Sequence, residues 1–372
     1  MEDKMIIKRK WFLRTWLGGT LAAMSLFSPF VSITAGAATP PKQLHDVTFS
    51  HDGKRLMFTL CGEKIPNGCA IHEYELTTGK LRYYTASENE VWGDARYSPQ
   101  GDWIVFTITP VVNERRILED TQLAIMRPDG KGLKRLTDSK GWKVAPSFSS
   151  SGKKIIYARA ATMRKTGKTP AADFDIYSYD LSSGQEQRLT NFKFFQISRP
   201  FYFGDDERFI FSAEYPRQFP DLRENDRDAI KQRREQLQQE HKEDQIYFMK
   251  KGDINFKPWF RFNNYSNKPL VSTRSGKLFF HAQAYTADGK PDGVDYHEYH
   301  PDGKHRRITR VGDGTIWSAD VSPDGKQLAL IHSGNPGIQF GRPQVTRKLI
   351  LLDPETGAAR DIALPAKAIR IN

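Results

Sequence analysis

Beyond residue 40 the chain alternates short apolar runs with polar turns, and the alternation itself recurs. One unit is a short strand, a turn of the form Ser322-Pro323-Asp324-Gly325, and a second, more apolar strand. Six copies can be read: 47–54 with 55–59, 95–101 with 103–107, 146–152 with 154–158, a degenerate 201–206 with 208–212, 270–276 with 277–281, and 319–325 with 327–331. Each is followed by two further strands around a second glycine turn. The third strands fall at 71–76, 123–126, 176–181, 246–249, 296–299 and 349–352. Three of the outer strands end alike, in Arg135-Leu136-Thr137, Arg188-Leu189-Thr190 and Arg307-Ile308-Thr309. Asp-Gly pairs accept the positive φ that tight hairpins require. The runs between them suit strands buried on one or both faces.

Four strands per copy make a small twisted sheet with two faces to bury, and closing a ring of such sheets packs each between two neighbours. The pattern therefore predicts an all-β fold, a six-bladed β-propeller of four-stranded blades. The blades are expected at about 45–85, 94–137, 145–190, 199–262, 268–309 and 317–364, within a domain spanning 38–372. Blade 6 holds four strands of its own, so no strand exchange with blade 1 is evident and the way the ring closes stays open. Blade 4 carries a charged segment, 217–243, that predicts a helical insertion of about five turns. Its apolar positions Leu222, Ala229, Ile230 and Leu237 form one thin seam, to rest on the blade or to receive a partner.

The copies resemble the PD40 (WD40-like) repeats of the TolB-type propeller family, named for the Pro-Asp that stands here as Pro323-Asp324. The resemblance covers 45–364 and implies a binding scaffold of the cell envelope. TolB has an α/β domain ahead of its propeller, and this sequence lacks room for one between its leader-like segment and the first repeat. Roles that depend on that domain are not implied.

Residues 1–37 read as a signal peptide. Lys4, Lys8, Arg9, Lys10 and Arg14 precede an uncharged, mostly apolar stretch from 16 to 33, and Ala35-Gly36-Ala37 offers small residues for cleavage. An uncleaved anchor is the alternative and the expected route to any membrane. Export predicts a periplasmic or secreted protein and permits a disulfide between the only two cysteines, Cys61 and Cys69. The chain carries a formal charge of +12, and residues past Ala37 keep +9. Outside the cytoplasm such a charge points to an acidic envelope protein or acidic glycan rather than nucleic acid.

Loops between second and third strands share one face of a propeller with the blade linkers. Onto that face the sequence places Arg115, Arg116, Arg159, Arg164, Arg217, Arg342 and Arg347, with Trp92, Trp142, Phe195 and Trp317 in the linkers. Arginine beside an aromatic ring suits an anionic protein segment or sugar, although a tryptophan just before an inner strand also suits packing between blades. Catalytic signatures are missing: no Gly-x-Ser-x-Gly, no His-Glu-x-x-His, no phosphate-binding glycine loop. No cofactor and no metal site are expected, and a monomer is. The alternative reading is a polysaccharide-acting enzyme. Some relatives of this repeat class are oligogalacturonate lyases with a metal held by His and Gln, for which His281, His332, Gln283 and Gln339 match by residue type.

Overall fold

The repeated turn is built around a serine. In blade 6 the Ser322 carbonyl accepts from the Gly325 N–H at 2.9 Å, and the Ser322 hydroxyl accepts from the Gln327 N–H at 2.9 Å. Gly325 has φ +76°, which no β-branched residue tolerates cheaply. Ser50, Ser98 and Ser149 repeat both bonds, to Gly53 and Arg55, Gly101 and Trp103, and Gly152 and Lys154. These serines are all buried, so the hydroxyl satisfies a strand N–H that water cannot reach. The degenerate fourth copy has Phe203 in place of serine. There Asp205 does the work, its carboxylate accepting from the Arg208 N–H at 2.7 Å.

The computed structural model describes residues 43–371 apart from 63–67, 167–168, 215, 241–243, 255–257, 260–265, 301, 311–313, 335–337, 340–341 and 344–346. The leader-like segment lies outside the described residues. Residues 40–372 form one unit, a six-bladed β-propeller. Blade 1 runs Gln43–Phe49, Arg55–Cys61, Cys69–Glu75, Leu81–Tyr84 from axis to rim. Blades 2, 3, 5 and 6 repeat this antiparallel order, with inner strands Glu90–Tyr97, Trp142–Phe148, Ser266–Val271 and Thr315–Val321. Blade 4 shows three strands among the described residues, Ile197–Tyr202, Arg208–Ala213 and Gln245–Lys250, with an isolated bridge from Tyr247 to Pro258 outside them.

The structure answers how the ring closes. Ile369–Ile371 adds a fifth strand to the rim of blade 1, parallel to Leu81–Tyr84. Three residues beyond the last repeat, without a glycine turn before them, carry no strand signal of their own. The strand thus ties the end of the last blade to the first.

The Arg-Leu-Thr endings are clamps. Thr190 and Thr309 accept the N–H of Ile176 and Tyr296 at 2.9 Å, and each donates to a buried third-strand carboxylate, Asp175 at 2.8 Å and Asp295 at 2.6 Å. Arg188 and Arg307 complete the pairs at 2.5 Å. In blade 2 Gln122 replaces the aspartate and takes the Thr137 hydroxyl at 2.7 Å. The hydrophobic cores lie between blades. Ile156, Phe174, Phe194, Phe209 and Phe211 fill the seam of blades 3 and 4, and Val47, Phe58, Ala329 and Ile331 that of blades 6 and 1.

The described helix is Arg227–Glu240, lying in the chain between Ala213 and Gln245. It is one turn shorter than expected, because Asp226 starts it: its carboxylate accepts from the Ala229 N–H at 3.1 Å and its carbonyl from Ile230. Leu222 therefore precedes the helix instead of sharing its seam. Leu237 is buried, while Leu222 and Ile230 are half-buried.

Candidate functional site

Every inner strand carries a β-bulge. Register slips between His45 and Thr48, Gly93 and Arg96, Val144 and Ser147, Ser198 and Phe201, Asn267 and Leu270, and Ile316 and Ser318. In five blades one bulge residue is left-handed although none is glycine: Asp46 (φ 55°), Asp94 (53°), Ala145 (51°), Arg199 (49°) and Lys268 (45°). Such backbone costs of order 1–3 kcal/mol each and re-aims a side chain. With Ser318 of blade 6 these residues line one cavity of about 420 Å³ at the mouth of the central channel. All six blades contribute to it, and so do the loop residues Cys69, Arg116 and Leu118 and the linker residues Trp142, Gln196 and Trp317.

Charge divides this ring. Asp46 and Asp94, from blades 1 and 2, hydrogen-bond each other through their carboxyls, so the pair shares a proton. Burial and the Asp46 charge push Asp94 up to about 7, and burial raises Asp46 against the pull of Arg199. The Ala145 N–H donates to Asp94 at 3.1 Å. Opposite stand Arg199 and Lys268. Arg199 donates across the axis to the Ser318 hydroxyl at 2.9 Å and to the Ala319 carbonyl, and lies 4.0 Å from Asp320. It borders both the mouth and a second cavity of about 590 Å³ at the channel's other end, and so stands between them. Lys268 donates to the Ile316 and Trp317 carbonyls at 3.1 and 3.3 Å, and burial, then Arg199, lowers it to about 8.

Of the binding residues singled out by sequence, Arg116, Trp92, Trp142 and Trp317 line the mouth. Arg116 donates to the Cys69 sulfur at 2.9 Å, and Cys69 is disulfide-bonded to Cys61, which anchors the blade 1 loop beside it. Trp317 is 42% exposed, with the Arg347 guanidinium 4.0 Å over its ring. Arg347 also donates to the Leu44 carbonyl and the His45 ring, each at 2.9 Å; burial, then Arg347, holds His45 down at about 4. Trp142 is half-buried against Phe174, and Trp92 reaches the cavity wall but is buried on Phe106. Phe195 is exposed next to the cavity residue Gln196 and stacks with Arg217 at 4.9 Å.

Two basic residues stand apart. Arg159 is paired with Glu186 and sits 5.0 Å over Tyr177, which makes it a brace within blade 3. Arg115 is exposed in the short strand Arg115–Arg116, off the cavity wall. Arg164 and Arg342 sit on described strands, Lys154–Thr166 and Arg342–Pro343, but their side chains lie outside the described residues. His281 is buried against Asn267 and Tyr296, and Gln283 donates to its own strand and to Gly293; the Gln339 side chain is outside the described residues. Among the described residues no three His, Cys, Asp or Glu side chains converge in a way that could hold a metal ion.

The bulge ring escaped the sequence reading. Its signal was present all the same: one position, just before the repeated strand core, reads Asp46, Asp94, Ala145, Arg199, Lys268, Ser318 while the flanking pattern stays constant.

No family model and no curated protein matches the chain. Solved structures do match. TolB from Acinetobacter baumannii aligns with a TM-score of 0.56 and 16% identity, covering 86% of this chain, which spans 66% of that one. An oligogalacturonate lyase in complex with manganese aligns at 0.50 and 13%, over 86% and 76%. The tricorn protease aligns at 0.54 and 14%, over 88% of this chain and 27% of its own. At these identities the likeness is one of fold. The chain has a TolB-like β-propeller fold closed by a Cys61–Cys69 disulfide at one loop.

Proposed function

We propose that this protein is an exported, non-enzymatic scaffold that holds an acidic segment of an envelope partner at the channel mouth. The observation that carries the reading is the mouth itself: one cavity built by all six blades, lined by Arg116, Lys143, Arg199 and Lys268 against Asp46 and Asp94, with Arg347 over the lining Trp317. With the aspartates sharing a proton, the lining is clearly positive, and such a cleft steers acidic partners. Exposed Trp317 and Phe195, each stacked with an arginine, supply the aromatic contacts that interfaces favour. The disulfide and the basic, apolar leader accord with export. Taken as an insertion of blade 4, the Arg227–Glu240 helix turns its buried Leu237 inward and offers a charged outer face.

A photocrosslinking residue placed at Trp317, at Phe195, or at Thr273 on the opposite turns tests this in envelope extract. One partner captured from Trp317 and Phe195, and not from Thr273, supports the mouth. Capture from Thr273 alone would refute it. Removing 217–243 then reports whether the helix takes part.

A further inference from the structure

The cations at the mouth hydrogen-bond neutral partners, among them Lys143, which donates to the Thr121 carbonyl and the Gln122 side-chain oxygen, each at 3.1 Å. Arg199 is held by a hydroxyl and carbonyls, Lys268 by two carbonyls, Arg347 by a carbonyl, a neutral imidazole and an indole face, and Arg116 by a disulfide sulfur. The nearest ion-pair contact of Arg199, to Asp320, is at 4.0 Å, the outer limit for one. Elsewhere arginines on this chain meet carboxylates directly, as Arg307 does with Asp295 at 2.5 Å. Charge that is hydrogen-bonded yet not neutralised, in a half-buried cleft, attracts an anion strongly, since water screens it poorly there.

The cavity of about 420 Å³ is at the small end of ligand sites, large enough for one side chain or a chain end rather than a folded domain. The Trp317 ring, with Arg347 across it, has one face already occupied, which disfavours a stacked sugar. From this, and resting on the mouth as the binding site, we infer that a single peptide carboxylate of the partner, a glutamate or aspartate side chain or a C-terminus, inserts between Arg199 and Lys268. A protonated carboxyl in such a site adds a donor and removes a repelling charge.

The proton makes binding pH-dependent. Asp94 faces Asp46 from blade 1, the Ala145 N–H from blade 3 and the positive charge of Arg96 on its own strand; Asp46 faces Arg199, Arg96 and Arg347, and His45 beside them, next to Arg347 and Arg116, is neutral near pH 7. An anion bound beside the pair favours its protonated form. Affinity therefore falls as pH rises through 7, by about fourfold between pH 6 and 7.5 for one linked proton. A second fall follows above pH 8 as Lys268 and Lys143, both lowered to about 8 by burial first, lose their charge.

Calorimetry with the full chain tests this, using the capped tripeptide acetyl-Gly-Glu-Gly-amide, its Gln and Lys counterparts, and galacturonate. The Glu peptide is expected to bind at least tenfold tighter than the Gln peptide, with net proton uptake at pH 7 in buffers of differing ionisation heat. Asp94→Asn should abolish the step between pH 6 and 7.5 and leave the step above 8. Lys268→Gln should weaken the Glu peptide tenfold and shrink the upper step; it stands in if Arg199→Gln, expected to weaken that peptide as much, does not fold. Equal binding of Glu and Gln peptides, preference for galacturonate, or tighter binding of the Lys peptide with proton release would each overturn the carboxylate assignment. A partner crosslinked at Trp317 with any of those results would leave the mouth as the docking site and remove only its chemistry.

Discussion

The framework and the throat of this propeller occupy equivalent positions in every blade, yet they are written in opposite ways. At the turn end the same serine recurs as Ser50, Ser98, Ser149 and Ser322, each buried and making the same turn, and as buried Ser272 in a turn whose glycine, Gly276, comes one residue later. Along the axis, the bulge position holds Asp46, Asp94, Ala145, Arg199 and Lys268, all left-handed and nearly all different. Repetition marks what the fold needs six times over. Variation at a geometrically fixed and strained position marks what the fold does not need, and strain kept without a packing gain belongs to binding.

Substitutions sort along that contrast, and the framework should respond most in stability. Asp295 is fully buried and receives Thr309 and Arg307; Asp295→Ala removes the acceptor of Thr309 and one of the two carboxylates that Arg307 meets, Asp292 being the other, and should cost about 3 kcal/mol in urea unfolding. A loss below 1 kcal/mol would mean the clamp is ornamental. Replacing both cysteines by serine frees the blade 1 loop that supports Arg116. The loss should be about 2–3 kcal/mol under oxidising conditions and vanish when the wild type is measured with reductant. Ser322→Ala removes the acceptor of the buried Gln327 N–H and should cost about 1–2 kcal/mol, read as a shift of the urea midpoint at constant slope.

The throat should give a change of the opposite sign, read in how stability depends on pH. A carboxyl raised in the folded state binds its proton more tightly folded than unfolded, so wild-type stability declines from this group between about pH 4 and pH 7. Asp94→Asn lacks that decline. Subtracting the two unfolding curves should show the mutant gaining on the wild type as pH rises to 7 and no further gain above it. A flat difference would mean the pair shares no proton.

Much of the frame was legible because turns and clamps are local chemistry repeated. Ser-Pro-Asp-Gly announces a hairpin within four residues, and Arg-Leu-Thr a strand end within three. Ile369–Ile371 was not legible, since its strand exists only through Leu81–Tyr84, about 290 residues earlier in the chain. The basic loop residues were recognised by type and then separated by geometry. Arg116 faces the cavity, whereas Arg159 braces Glu186, and no local signal tells a free arginine from a paired one. Arg199 was passed over for the same reason: next to Pro200 in a degenerate repeat it reads as filler, and only the bulge carries it across the axis to Ser318.

The account stands or falls on the channel mouth as the place of binding. The affinity of the crosslinked partner for wild type and for a Trp317→Ala, Arg116→Ala double variant, measured at equal folded fraction, addresses it directly. Loss of at least a hundredfold, with the urea midpoint unmoved, is the predicted result. Unchanged affinity would place the binding surface elsewhere on the ring.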